Sequence, residues 1–165
     1  MHHRWLACGF GLALGALTSA SLAPAARAQG AAAPSAPPPL VRFEIRNNAI
    51  PAPLTGKPGD AAKGRAAIIG RTLGNCLACH EITKLKDEPF HGNVAPSLDG
   101  VAVRLTEGEI RLRVVDGTKV NAETMMPPFY RAEGLNRVMP RFQGRTILTA
   151  EQVEDVVAYL MTLKE

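Results

Sequence analysis

Aromatic residues are scarce. One Trp, two Tyr and five Phe make up 5% of the 165 residues, which is little large apolar surface for a domain with long loops. Cysteine is scarcer: Cys8, Cys76 and Cys79 are all there is. Three cysteines exclude the dense disulfide framework by which small exported domains are held together. No second Cys/His pair stands at zinc-ligand spacing and His91 is alone, so a structural zinc site lacks half its ligands. No βαβ pattern surrounds the Cys-x-x-Cys, which removes a thioredoxin-like redox site. No stripe of Lys and Arg interleaved with aromatics supports nucleic acid as a partner, despite a formal charge of +4. There are no internal repeats.

What is present begins with an export signal. Met1 to Arg4 is a short basic stretch, Trp5 to Ala23 is apolar and uncharged, and Ala26-Arg27-Ala28 fits the small-x-small rule for cleavage. Residues 1–28 read as a signal peptide cleaved after Ala28, with Gln29 as the new N-terminus in the periplasm. No membrane anchor then remains. Cys8 leaves with the signal, so the mature chain keeps only Cys76 and Cys79. Loss of Arg4 and Arg27, with no acid in that stretch, takes the charge from +4 to +2.

Residues 29–58 read as a leader. "GAAAPSAPPPL" (30–40) is an Ala/Pro-rich tether. In "VRFEIRNNAI" (41–50) Val41, Phe43 and Ile45 alternate with Arg42, Glu44 and Arg46, a period of two that predicts an extended segment with one apolar face. So short a segment must lie on its own domain or on a partner.

Residues 59–165 read as one all-α domain. Asp60 caps a helix to about Leu73 that carries Ala62, Ala66, Ile69 and Leu73 along one side, and a short helix follows through the cysteines. Residues 83–104 are mostly loop. Thr106 and Glu109 form a capping box that opens a helix to about Val115. Residues 116–148 form a long loop rich in Pro, Gly and Met. Thr149 and Gln152 form a second capping box, opening a helix to about Leu163 with Val153, Val156, Val157, Leu160 and Met161 as its apolar stripe. Loops of this length need something to pack on. A large apolar prosthetic group between them meets that need.

Cys76-Leu77-Ala78-Cys79-His80 is the attachment signature of haem c. Two thiols three positions apart reach the two vinyl groups of one porphyrin, and the next residue, His80, presents its imidazole to the iron as proximal ligand. A distal ligand is sought among Met125, Met126, Met139 and Met161. Met161 lies on the last helix's stripe and reads as core. Met126-Pro127 and Met139-Pro140 both lie in the long loop, where chain covers the distal face. A thioether sulfur is soft and neutral, favours Fe(II) and raises the potential, which suits electron transfer.

From "GDAAKGRAAIIGRTLGNCLACH" to "QVEDVVAYLMTL" the chain resembles the class I cytochromes c. The resemblance implies a close crossing of first and last helices at Gly64 and Tyr159, with Ile68 and Ile69 where the family has an aromatic. "APSLDG" (95–100) resembles the family's Pro-x-Leu-x-Gly turn, which implies that the Pro96 carbonyl accepts a hydrogen bond from the His80 ring. "AIPAPLTGKPGDA", "APSLDGVAVRL", "TMMPPFYR" and "ILTAEQVEDVVAYLMTLK" resemble the SoxX family, small monohaem subunits of SoxAX cytochromes. That likeness spans nearly the whole mature chain. It implies one covalent haem c, a SoxA-like larger subunit as partner, and transient contact with the SoxYZ carrier and a downstream cytochrome. It also implies a place in an L-cysteine S-thiosulfotransferase complex, with no catalytic residue on this chain, because the Cys-ligated reactive haem of the family belongs to SoxA and no spare cysteine exists here. "MPRF" shortly before the last helix fits the general class I placement of the distal ligand and points to Met139. The SoxX likeness points to Met126, with Met139 the runner-up. A free monohaem shuttle, or a cytochrome subunit of another periplasmic dehydrogenase, explains the Cys-x-x-Cys-His equally well, though not the segment before it.

Intact-mass measurement of the protein isolated from the periplasm should give the 29–165 chain plus one haem. A mass that retains residues 1–28, or lacks the haem increment, contradicts this reading.

Overall fold

The computed structural model describes residues 39–165. The expected signal peptide, its cleavage site and residues 29–38 lie outside the described residues. Among the described residues four α-helices follow one another: α1 (Ala61–Ile69), α2 (Val101–Arg104), α3 (Glu107–Asp116) and α4 (Ala150–Leu160). Single 3-10 turns lie at Cys76–Ala78, Thr83–Leu85, Gly117–Lys119 and Pro140–Phe142. Among the described residues there is no strand, only one isolated bridge between Arg46 and Ala49.

The helix starts follow from local chemistry. Asp60 Oδ1 accepts from the backbone N–H of Ala62 (2.8 Å) and Lys63 (3.2 Å), satisfying two orphan donors of α1. Both capping boxes form. Glu109 takes the Thr106 N–H at 2.8 Å and Gln152 takes the Thr149 N–H at 2.9 Å, and the two threonine hydroxyls accept in return.

The helix ends fall short of expectation. α1 stops at Ile69, not Leu73. Gly70 turns to extended geometry (ψ 111°), and its carbonyl accepts from Leu73 and Asn75 in a non-helical turn. A glycine in a helix interior costs about 1 kcal/mol relative to Ala, so the chain leaves the helix there. α4 stops at Leu160, not Leu163. The Thr162 hydroxyl binds the Tyr159 carbonyl at 2.7 Å and tightens the last turn. Leu163 is thereby free to accept from Ala102 of α2 at 3.0 Å.

α1 and α4 cross with their backbones almost touching. A Cβ on Gly64 would lie 1.9 Å from the Asp155 carbonyl oxygen and 2.9 Å from the Tyr159 Cβ, so only glycine fits. Ile68, fully buried, fills the position next along α1.

α3 joins α4 through charge. Arg111 and Glu154 are both sealed from solvent. The Arg111 Nε donates to Glu154 Oε1 at 2.9 Å and its Nη2 to Oε2 at 2.9 Å. The same pair gathers in the leader. Arg111 Nη1 donates to the Ile50 carbonyl (2.9 Å), Glu154 Oε1 accepts from the Leu54 N–H (2.8 Å), and Glu107 caps the remaining guanidinium edge.

Residues 41–50 differ from the expected single extended segment. The chain reverses at Asn47-Asn48, both at positive φ (50° and 56°), closed by reciprocal 2.9 Å bonds between Arg46 and Ala49. Only Ile50 reaches the core. Leu40, Val41, Phe43 and Ile45 remain solvent-exposed, so the apolar face is presented and not buried.

Arg111→Met should destabilise the protein by about 3–5 kcal/mol in denaturant unfolding, because it strands the Glu154 carboxylate. The double substitution Arg111→Met with Glu154→Leu should recover much of that loss. Equal loss in both variants would show that the ion pair itself, not the uncompensated charge, carries the effect.

Candidate functional site

The turn after α1 presents the two cysteines. The Gly74 N–H donates to Ala67 at 3.0 Å, and Asn75 takes a left-handed conformation (φ 48°) that redirects the chain into the 3-10 turn Cys76–Ala78. The N–H groups of Cys79 and His80 both return to the Cys76 carbonyl, at 3.2 and 2.9 Å. Cys76 is partly buried and Cys79 exposed, and neither is in a disulfide. Burial pushes the Cys76 thiol up to about 12, with the neighbouring Cys79 adding to the rise against a backbone hydrogen bond. It is held as S–H.

A second segment lies along the first. Gly92 donates to Leu77 (2.7 Å), Ala95 to Cys79 (3.0 Å) and Leu98 to Glu81 (3.0 Å). The approach is close enough that a Cβ on Gly92 would sit 2.2 Å from the Ala78 oxygen. His91 is consumed by this loop: one ring nitrogen pairs with the Leu85 carbonyl at 2.9 Å, and the other faces the Ile82 N–H at 3.4 Å. At the end of the segment His80 Nδ1 meets the Pro96 carbonyl at 2.6 Å. A carbonyl only accepts, so Nδ1 carries the proton and Nε2 keeps its lone pair. Asp99 then ties the turn to Thr83 through its N–H (2.9 Å) and hydroxyl (2.6 Å). The Thr83 hydroxyl, ahead of burial, which opposes it, holds the Asp99 carboxyl below its ordinary range.

The methionines arrive from elsewhere. Met126 is half-buried against the core, and its N–H is held by the Thr124 hydroxyl at 3.2 Å. Its segment is fixed to the end of α3 by bonds from Phe129 to Val114 (3.3 Å) and Tyr130 to Val115 (3.1 Å). Met139 is 54% exposed ahead of the 3-10 turn Pro140–Phe142, Met125 is 81% exposed, and Met161 packs on the core at the end of α4.

A cytochrome c family model matches residues 61–164. The chain belongs to the cytochrome c family. A chain of the crystal structure of SoxXA from P. pantotrophus is similar to it, with 41% identity over 74% of this chain and 95% of that one, at a TM-score of 0.69. No curated protein matches. The protein is therefore an all-α cytochrome c electron-transfer domain resembling the SoxX subunit of SoxXA, and the family carries covalent haem c. Among the described residues no helix is long and apolar enough to cross a membrane.

The residues present fit that prosthetic group. Two thiols stand three positions apart without a disulfide, and the imidazole that follows them has Nδ1 engaged by the Pro96 carbonyl while Nε2 has no partner among the described residues. Reasoning from the sequence missed the roles of Gly92 and Asp99, which hold the attachment segment in place, while His91, read there as standing alone, is spent within the loop. Pro89, Gly92, Pro96 and Gly100 were the available signal for a loop that turns back on its neighbour.

Proposed function

We propose that this cytochrome c is the electron-relaying subunit of a periplasmic SoxAX-type L-cysteine S-thiosulfotransferase. The observation that carries this is the 41% identity extending over 95% of the SoxXA chain. Cys76 and Cys79 hold one haem c through thioethers, His80 is the proximal ligand oriented by the Pro96 carbonyl, and Met126 is the distal ligand. The bound haem accepts and releases one electron at a time. The reaction served joins thiosulfate to a carrier cysteine: R–SH plus thiosulfate gives R–S–S–SO3⁻, one proton and two electrons. A chain holding one such group would pass these two electrons on one after the other.

The chain's own residues set the terms of that relay. The Pro96 carbonyl fixes the His80 tautomer and raises its basicity. Pro127 and Pro128 stiffen the chain after Met126. Leu40, Val41, Phe43 and Ile45, interleaved with Arg42 and Glu44, are exposed apolar side chains of the kind that a permanent partner covers, which suits a SoxA-like larger subunit. SoxYZ and a downstream cytochrome are met transiently.

Co-purification from cells grown on thiosulfate should yield a larger haem subunit, and thiosulfate with the carrier should reduce the haem of this chain. Deletion of residues 29–45 should weaken that association and leave the haem spectrum intact. Isolation as a stable monomer unresponsive to thiosulfate would favour a free shuttle. Met126→Ala should abolish the weak far-red charge-transfer band of ferric His/Met haem and lower the potential, since water, hydroxide or a nitrogen donor stabilises Fe(III) better than a thioether. If Met139→Ala removes that band and Met126→Ala leaves it, the ligand is Met139.

A further inference from the structure

Residues 131–147 leave the core after Tyr130 and return to it at Leu148. The Leu148 N–H donates to the Phe129 carbonyl at 2.9 Å, closing the base of an Ω-type loop immediately after the Met126 segment. The loop is ordered by its own contacts. Phe142 donates to Met139 (2.8 Å) and Arg145 to Phe142 (3.1 Å), while the Arg141 guanidinium lies 4.8 Å over the Phe142 ring. Gly134, Arg137 and Gly144 at positive φ make its bends.

Charge is concentrated here. Residues 39–165 sum to +2. Residues 131–147 hold four arginines against Glu133, a net of +3, so the remaining described residues sum to −1. Arg131 is engaged with Asp116 at 2.8 Å. Arg137, Arg141 and Arg145 are exposed and make no ion pair among the described residues. Met139 stands exposed between them.

We propose that this arginine loop is the docking surface for the acidic face of a transient protein redox partner. The inference rests on the electron-transfer reading of the domain. Three guanidiniums spread along nine residues and left in solvent do not converge on a small anion; they match carboxylates spread over a protein face, each able to take a bidentate bond. Exposed charge with a single apolar residue among it raises the encounter rate and specificity more than the lifetime of a complex. A permanent interface is depleted of charge at its centre, and the leader, where exposed Leu40, Val41, Phe43 and Ile45 outnumber Arg42 and Glu44, comes nearer to that character. The two surfaces thus divide the work between a resident and a visiting partner.

The test is stopped-flow oxidation of the ferrous, haem-loaded protein together with its co-purified subunit. Two oxidants are used: an acidic plastocyanin as anionic protein probe, and tris(1,10-phenanthroline)cobalt(III) as small cation. Arg137→Gln, Arg141→Gln and Arg145→Gln combined should slow the plastocyanin reaction about tenfold or more at low ionic strength and flatten its salt dependence. The cobalt reaction should not slow. A control triple, Lys57→Gln, Lys63→Gln and Lys164→Gln, removes the same charge elsewhere and should have a much smaller effect. Equal slowing by both triples, slowing with the cobalt complex too, or an unchanged plastocyanin rate overturns the proposal. If neither oxidant turns over the wild-type haem, the electron-transfer reading falls and this proposal with it.

Discussion

The pairing of Arg111 with Glu154 is the contact on which the arrangement depends. Both groups are sealed from water, and between them they accept or donate to the leader (Ile50, Leu54), to α3 (Glu107) and to α4. Burial alone would lower the Arg111 pKa, but the hydrogen bonds and charges of Glu154 and Glu107 outweigh it and raise it, so the guanidinium stays charged. A buried ion pair adds little net stability over an apolar substitute, yet either partner left alone is costly. Its effect is register. With Arg111 fixed, the far end of α3 is fixed too, and Val114 and Val115 there hold the segment that carries Met126.

Scarcity of aromatics is answered by two devices. The first is the bare contact of α1 on α4 at Gly64, which gains dispersion from backbone atoms where large side chains are missing. The second is the family's prosthetic group, which lends a large apolar body to a small domain. The attachment segment is prepared for it. Residues 91–98 lie against residues 77–82 through repeated backbone bonds, so the cysteines and His80 are held by a layer of main chain more than by neighbouring side chains.

Both ends of the domain's irregular chain face outward. The leader emerges at Ile50 with apolar side chains in solvent, and the loop between Phe129 and Leu148 emerges with arginines in solvent. Neither surface is needed to close the core. The chemistry of one suits burial by desolvation, and that of the other suits long-range attraction.

The features that the sequence determined by itself are local ones. Cys76, Cys79 and His80 are adjacent along the chain, so the attachment motif needs no fold to be read. The boxes at Thr106 and Thr149 and the cap at Asp60 join residues two or three apart, and each forms as its spacing requires. The crossing at Gly64 and Tyr159 and the bond from His80 to Pro96 were reached by family likeness, since nothing in the spacing alone brings those residues together. Tertiary structure decided the rest. Arg111 lies four residues from Glu107 on α3, but no spacing in the sequence ties it to Glu154 on α4; only the approach of the two helices, with these residues 43 positions apart, shows that they bury each other. Leu163 leaves α4 because Ala102 waits for its carbonyl, His91 is spent on Leu85, and the chain reversing at Asn47-Asn48 leaves exposed the apolar side chains that alternation assigned either to this domain or to a partner. In each of these the energy lies in desolvating or satisfying a polar group against a distant partner, and a sequence does not state which partner is near.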